Sequence, residues 1–356
     1  MRKLLTVMVV LLFMTPLVYT IISTPVSSAR GLAPMMIPGD ISKQSLNQIL
    51  GQVSTDVISS SSVTIAGPTV YFYDAVSRII GEMHSSLLLQ YLEELTSFGP
   101  RVTGYQGCQD AGRYLYQEFA EMGLQVRYQN WTYNSVTVSN IEASLPGVDP
   151  SSDEIYIICG HYDTVSGSPG ADDDGSGVAL VLAAAWIMRE YQFNHTVRFV
   201  AFCGEEQGLL GSYEYVEEAY QHQDHIVAVL NADMIGYAET LSDESQIKLY
   251  YDDASTWILQ YTTSVGQLYN GQIGLTIIPS GFTWGSDHYS FWSFGYNAVF
   301  YHEYHFNEYY HSSQDTIAHM NLYYTTKCSR LIMATLVSLA EVIPSVSPYE
   351  LSGIGI

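Results

Sequence analysis

Apolar residues recur at helical spacing in "SSLLLQYLEELTSFG" (85–99), and Gly99-Pro100 ends the pattern. "CQDAGRYLYQEFAEMG" (108–123) repeats that periodicity and stops at Gly123. From there the pattern changes to short β-rich runs alternating with helical ones. "LQVRYQNWTY" and "SNIEASLPG" predict strands, and "EIYIICG" (154–160) is apolar almost throughout, as in a strand covered on both faces. "VALVLAAAWIMREY" predicts a buried helix, "HTVRFVAFCG" a second central strand, and "LLGSYEYVEEAYQ" a helix. "IVAVLNADMIG" predicts a strand, "STWILQYTTSVGQLY" a helix, "NAVFYHE" a strand, and "TTKCSRLIMATLVSLAEVI" a closing amphipathic helix. Alternation of this kind predicts an α/β fold, a three-layer α/β/α sandwich around a mixed, mostly parallel sheet. No internal repeat and no second domain are evident.

The N-terminus stands apart. Arg2 and Lys3 precede an uncharged run from Leu4 to Ala29, with Ser27 and Ala29 in a small-x-small arrangement, the pattern of a secretory signal. A membrane anchor needs only about 20 apolar residues, so the run also suffices to hold the chain to a bilayer. Pro16 and the Ser/Thr content after Ser23 favour cleavage. Either way the remainder is expected outside the cytoplasm, secreted or on the outer face of the membrane. Residues 1–29 are thus a signal peptide or anchor, 30–80 a Ser/Pro/Gly-rich linker or prosegment, 81–345 the functional domain and 346–356 a tail.

Composition narrows the partners. There are 36 acidic residues against 13 Lys plus Arg, a net charge of −23, which repels nucleic acid and anionic lipid. Membrane contact is therefore expected only through the N-terminal segment. Four cysteines (Cys108, Cys159, Cys203, Cys328) are too few for a disulfide scaffold. Cys159 and Cys203, near strand ends, read as small buried hydrophobes, while Cys108 and Cys328, in helical segments, are available for bridging.

In folds of this type functional groups gather at the carboxyl ends of the central strands. "EIYIICG" is followed by His161 and Asp163, and a short loop then leads to Asp172-Asp173-Asp174, just before the apolar helix. "VRFVAFCG" leads to Glu205-Glu206, "IVAVLN" to Asp233, and "YYHSSQDT" carries His311. Separate strand ends that each deliver His, Asp or Glu suit a metal site. Zinc takes imidazole nitrogen and carboxylate oxygen, and two metals about 3.5–4 Å apart need a carboxylate able to bridge them. His161, Asp233, Glu206, His311 and one Asp of the triplet fill five ligand places, which leaves Glu205 as a base. Asp163, two residues from His161, is placed to accept that ring's other N–H. His302 and His305, in "YHEYHFNEYYH", compete with His311 on residue type alone.

"GHYDTV", "PGADDDGSGVAL", "GEEQGLLGS", "LNADMIG" and "HSSQDT" resemble, in order, the motifs of the co-catalytic di-zinc exopeptidases of metallopeptidase family 28. That family includes bacterial leucyl aminopeptidases, glutamate carboxypeptidase II and glutaminyl cyclases. The resemblance runs over about residues 85–345 and takes in "FGPRVTG" and "NIEASLPG" upstream. It implies two zinc ions per chain. One would be held by His161, Asp173 and Asp233, the other by Glu206, His311 and the same Asp173, which the D-x-x-S-G frame selects from the triplet. It also implies Glu205 as general base, Asp163 in support of His161, and Tyr310 on the oxyanion.

The expected activity is therefore that of a peptidase acting on peptide substrates, an aminopeptidase first of all. A carboxypeptidase or a glutaminyl cyclase is the same-family alternative. Carboxypeptidases of that type present Arg to the substrate terminus, and the arginines here lie outside the metal motifs. A non-catalytic, metal-stabilised binding domain is the alternative from another class, and Glu205, which a structural site does not need, speaks against it. The triplet lacks the D-x-[DN]-x-[DN]-G spacing of a calcium loop, and no G-x-S-x-G elbow is present.

Overall fold

The three mainly apolar runs form the middle of the sheet. In the computed structural model, which describes residues 68–344, β3 (Ile155–His161), β4 (Thr196–Phe202) and β5 (Ile226–Ala232) lie side by side and parallel. The eight-stranded order is β1-β2-β4-β3-β5-β8-β6-β7. β1 (Gln125–Tyr133) and β2 (Val136–Leu145) form an antiparallel hairpin at one edge. β8 (Ala298–Glu303) runs parallel to β5, and the other edge is made of β6 (Gln246–Tyr251) and β7 (Thr276–Gly281). Four pairings are parallel and three antiparallel, so the sheet is mixed and mostly parallel.

The helices divide unequally over the two faces. One face carries α1 (Pro68–Gly81), α2 (Ser85–Ser97), α3 (Gln106–Glu121), α4 (Gly175–Met188), α6 (Thr256–Leu268) and α9 (Leu322–Leu339), joined by a core that includes Leu92, Leu180, Phe199 and Leu331. α5 (Leu210–His222) and α8 (His288–Ser293) cover the opposite face through Ile157, Phe202, Tyr215 and Phe291. A one-turn helix, α7 (Asn270–Ile273), follows α6. α4 is buried on every side except Trp186, as expected of a helix apolar all round. Gly177 is required at its start, because a Cβ there would meet the Ala232 carbonyl oxygen at 2.1 Å.

Three readings of the sequence change. Residues 68–80 are not linker: they form α1, and Val76, Ile79 and Ile80 are fully buried. The other calls on residues 1–67 and 345–356 lie outside the described residues. β6 and β7 went unread because both are short and half-buried, and β7 carries Pro279, which only an edge strand tolerates. All four cysteines are buried and unbridged, and Cys108 lies against Cys203 (Sγ–Sγ 3.0 Å), not Cys328. Among the described residues no helix is long and apolar enough to cross a membrane.

Candidate metal centre

Because β3, β4, β5 and β8 are parallel, their carboxyl ends open on one edge of the sheet, and every candidate residue lies there. His161 closes β3, Asp233 follows β5, Glu205-Glu206 follow β4, and His311 sits in the loop after β8. The acidic triplet enters from the loop before α4.

Asp173 stands between two donor groups. Its Oδ1 is 3.3 Å from His161 Nε2, whose other neighbour is Asp233 Oδ1 at 3.6 Å. Its Oδ2 is 3.2 Å from His311 Nε2, which lies 3.0 Å from Glu206 Oε2. The sets His161–Asp173–Asp233 and Asp173–Glu206–His311 thus share one carboxylate. Of the three histidines in the His-rich stretch, His311 reaches the cluster. His302 lines the adjoining cavity, and His305 faces Glu239 at 3.5 Å.

Other residues fix this arrangement through the backbone. Asp174 caps α4 by accepting from the Gly177 amide (2.8 Å), and it also accepts from the amides of His161 (3.0 Å) and Met234 (3.3 Å). One side chain thereby ties the ends of β3 and β5 to the helix. Asp172 accepts from the Gly236 amide and from Asn307 Nδ2, both at 2.8 Å. Asp315, in the "HSSQDT" segment, accepts from the amides of Asp172 (2.9 Å) and Asp173 (3.2 Å).

Asp163 does more than the sequence suggested, and does it differently. The Nδ1 of His161 is 3.2 Å from the main-chain oxygen of Asp163 and 3.6 Å from its carboxylate. The carboxylate instead accepts from the amides of Glu205 and Glu206, each at 3.3 Å, and from Thr103 Oγ1 at 2.8 Å. With both amides held, the two adjacent side chains diverge: Glu206 points to His311, and Glu205 remains on the open cavity, 3.9 Å from His161 Nε2. Gly204 makes the turn possible. Its φ is +94°, and a Cβ would meet the Trp131 ring at 2.6 Å. Ser286 donates to Asp233 Oδ2 at 2.6 Å and is itself held by Asn231.

Arg101, in "FGPRVTG", lies outside the metal motifs in sequence, and its side chain lies beneath them. It is fully buried and donates to the carbonyls of Tyr162 (2.6 Å), Pro169 (2.6 Å), Gly170 (2.8 Å) and Leu95 (3.4 Å). It clasps the loop joining His161 to Asp173. His288 is structural: it is buried, bonded to the Thr283 carbonyl at 3.1 Å and stacked on Phe300.

Six carboxyl groups, those of Asp163, Asp173, Glu205, Glu206, Asp233 and Asp287, surround two imidazoles in an interior that penalises uncompensated charge. The residues fit two cations. A tetrahedron with metal–ligand bonds of about 2.0–2.1 Å has ligand–ligand edges of about 3.3 Å, against 3.0–3.6 Å between the donor atoms here. The Oε1 of Glu206 is buried without a hydrogen-bond partner. Two imidazoles favour zinc over calcium, which takes oxygen ligands.

Without cations some of these carboxyls are pushed toward the protonated form, whereas burial of Asp173 is outweighed by His161 and His311, which hold its pKa below the usual carboxylate range. Burial, and then the Asp173 charge, push Glu206 up to about 8. Burial raises Asp287 to about 7, and burial with Asp172 does the same for Asp315. Unfolded carboxyls titrate near 4, so between roughly pH 4.5 and 8 the folded, metal-free chain binds more protons than the unfolded one, and stability falls as pH rises. His161 and His311 act in the same direction. Burial opposes their charge, but the surrounding carboxylates raise both, so stability present below about pH 6.5 is lost as pH climbs through their folded values. The chelated chain should therefore melt at progressively lower temperature from pH 5 to pH 8, and zinc should restore more at pH 8 than at pH 5. A flat or rising Tm profile would contradict this.

Sheet, helices and donor set define the class: an α/β/α sandwich of the zinc-exopeptidase type. A profile of peptidase family M28 matches residues 140–336, more than half of the chain, and the chain belongs to that family. Over 126 residues it is 35% identical to a probable zinc metalloprotease of Pyrenophora tritici-repentis, covering 32% of this chain and 29% of that one. Over 182 residues it is 31% identical to a probable leucine aminopeptidase of Arthroderma otae, covering 47% and 50%. The matched segments thus span half or less of these relatives' length. Among solved structures, the Legionella pneumophila LapA aminopeptidase shares the fold with a TM-score of 0.68 at 24% identity, covering 82% of this chain and 79% of that one.

Proposed function

We propose that the chain is a secreted or surface-anchored aminopeptidase that hydrolyses N-terminal peptide bonds with two zinc ions. The observation that carries this reading is the division of Asp173, one oxygen toward His161 and the other toward His311, with Glu205 unligated on the same cavity. Family membership supports a peptidase, and the relatives' printed names support zinc and an aminopeptidase. Arg2-Lys3 and the uncharged run to Ala29 support export.

His161, Asp173 and Asp233 would hold one ion, and Asp173, Glu206 and His311 the other. The chemistry supplied by bound zinc is acidification of a water and polarisation of the scissile carbonyl. Glu205 is the proton carrier. Burial, together with Asp233 and Asp287, raises its affinity for a proton despite the opposing pull of His161. It takes the proton from the attacking water and returns it to the leaving amine. Tyr310 lines the same cavity, stacked on His311 with ring centroids 3.6 Å apart. Burial and the nearby Asp173 raise its pKa, so it remains a protonated donor for the developing oxyanion.

Purified protein should release product from free aminoacyl amides and not from N-blocked ones. A strong chelator should abolish turnover, and added zinc should restore it. Hydrolysis that survives complete chelation would rule out the metallopeptidase reading. Equal cleavage of blocked and free substrates would rule out the aminopeptidase.

A further inference from the structure

The cavity beside the donor cluster, about 210 Å³, has one Lys or Arg in its lining. That residue is Lys248, in the middle of β6 and paired across the antiparallel ladder with His302 of β8. It is half-buried, and among the described residues its ammonium makes no ion pair and no hydrogen bond. Its one cation–π neighbour is the Tyr304 ring, 5.9 Å away. This is unusual in a chain with 36 acidic residues and four lysines, one of which, Lys327, is spent on a main-chain carbonyl. His302 does not neutralise Lys248. Its Nδ1 donates to the Glu303 carbonyl at 2.8 Å, and burial with the adjacent Lys248 charge keeps the ring neutral. The rest of that wall is aromatic, formed by Tyr250, Phe300, Phe306 and Tyr310.

The carboxylates in the same lining, Asp173, Glu205 and Asp233, gather on His161 and His311 and none pairs with Lys248, so an ammonium left on the aromatic wall fits a ligand that brings its own counter-charge. We propose that Lys248 is a specificity residue that recognises a substrate carboxylate, so that the cavity selects peptides with an acidic group beside the scissile bond. The proposal rests on the aminopeptidase reading above. An aliphatic side chain would cover the ammonium and leave it unpaired, which costs binding energy, whereas a carboxylate gains a partly desolvated ion pair. Sites built to pair a polar group discriminate strongly against analogues that lack it. Two sources have this chemistry: the side chain of an N-terminal Glu or Asp, and the terminal carboxylate of a dipeptide.

The test uses the full zinc-loaded chain and two ratios of kcat/KM, for Glu- against Gln-amides and for dipeptides with free against amidated C-termini. The wild type should favour the carboxylate in one ratio by about tenfold, equivalent to one partly buried ion pair. Lys248→Gln should reduce that ratio to near one, mainly through KM. Lys248→Arg should retain it, and Lys248→Glu should shift preference toward Lys-amides. The ratio that responds identifies the source. Calorimetric titration of free glutamate and glutamine covers the case of low turnover, with glutamate expected to bind about tenfold more tightly and to lose that margin in Lys248→Gln. Ratios near one in the wild type, or a carboxylate preference unchanged in Lys248→Gln with equal loss for both amino acids, would overturn the proposal. Chelator-sensitive cleavage of Leu-amide with neutral ratios would sink only this inference; absence of any chelator-sensitive amide cleavage would sink the aminopeptidase reading.

Discussion

Glu205→Gln should retain the wild-type metal content and melting temperature while losing about 10²- to 10⁴-fold in kcat, the usual contribution of a positioned general acid–base. The substitution keeps size and shape and removes only the ability to carry a proton. The Glu205 amide would stay on Asp163 and Glu206 would stay beside His311, so the donor set is untouched. KM should change little. The measurements are metal analysis, thermal melting and steady-state kinetics on aminoacyl amides. More than a tenth of the wild-type kcat in a fully metallated variant would remove Glu205 from the role of base. Parallel loss of metal and activity would instead make it a ligand.

Arg101→Met should be the most damaging substitution that touches no donor residue. Methionine matches the length of the arginine stem but leaves the carbonyls of Tyr162 and Pro169 without donors in a buried site, and that of Gly170 with the Gly175 amide alone. Each such orphan costs about 1–3 kcal/mol, so a loss of about 3–5 kcal/mol follows, and Tm should fall by on the order of 10 °C in a domain of this size. The loop that Arg101 holds runs from His161 to Asp173, so zinc affinity should fall as well. A variant with wild-type Tm and wild-type metal affinity would show that the loop keeps its shape unaided.

These two residues mark what sequence reveals and what it hides. Glu205, His161, Asp233 and the strands that deliver them were legible because apolar runs announce a central strand and the residues that follow it are chemically conspicuous. Asp173 and His311 were chosen from their neighbours by motif resemblance, since residue type cannot separate three consecutive aspartates or three nearby histidines. Arg101, Asp172, Asp174 and Asp315 were not legible as supports, because most of their partners are main-chain amides and carbonyls, which every residue possesses. Asp163 was read only as a support for His161: its carboxylate lies 3.6 Å from that ring's Nδ1 and also accepts from two main-chain amides. Lys248 escaped notice because β6 is short, half-buried and lies beyond β8 in the sheet, although it precedes β8 in the chain.

Asp174 has a consequence for metal exchange. It links the ends of β3 and β5 to α4 through three peptide N–H groups, none of which involves a donor side chain. Main-chain bonds thus fix the ends of β3 and β5, which carry His161 and Asp233, against α4 without using either donor side chain, unlike small zinc domains whose fold is created by the metal. On the zinc reading proposed above, loading would be an exchange of protons for cations within that frame. On the same reading an ion of similar size and charge would replace another without dismantling that frame, and the supply of metal around the protein, as much as the site itself, would then determine which ion does the work.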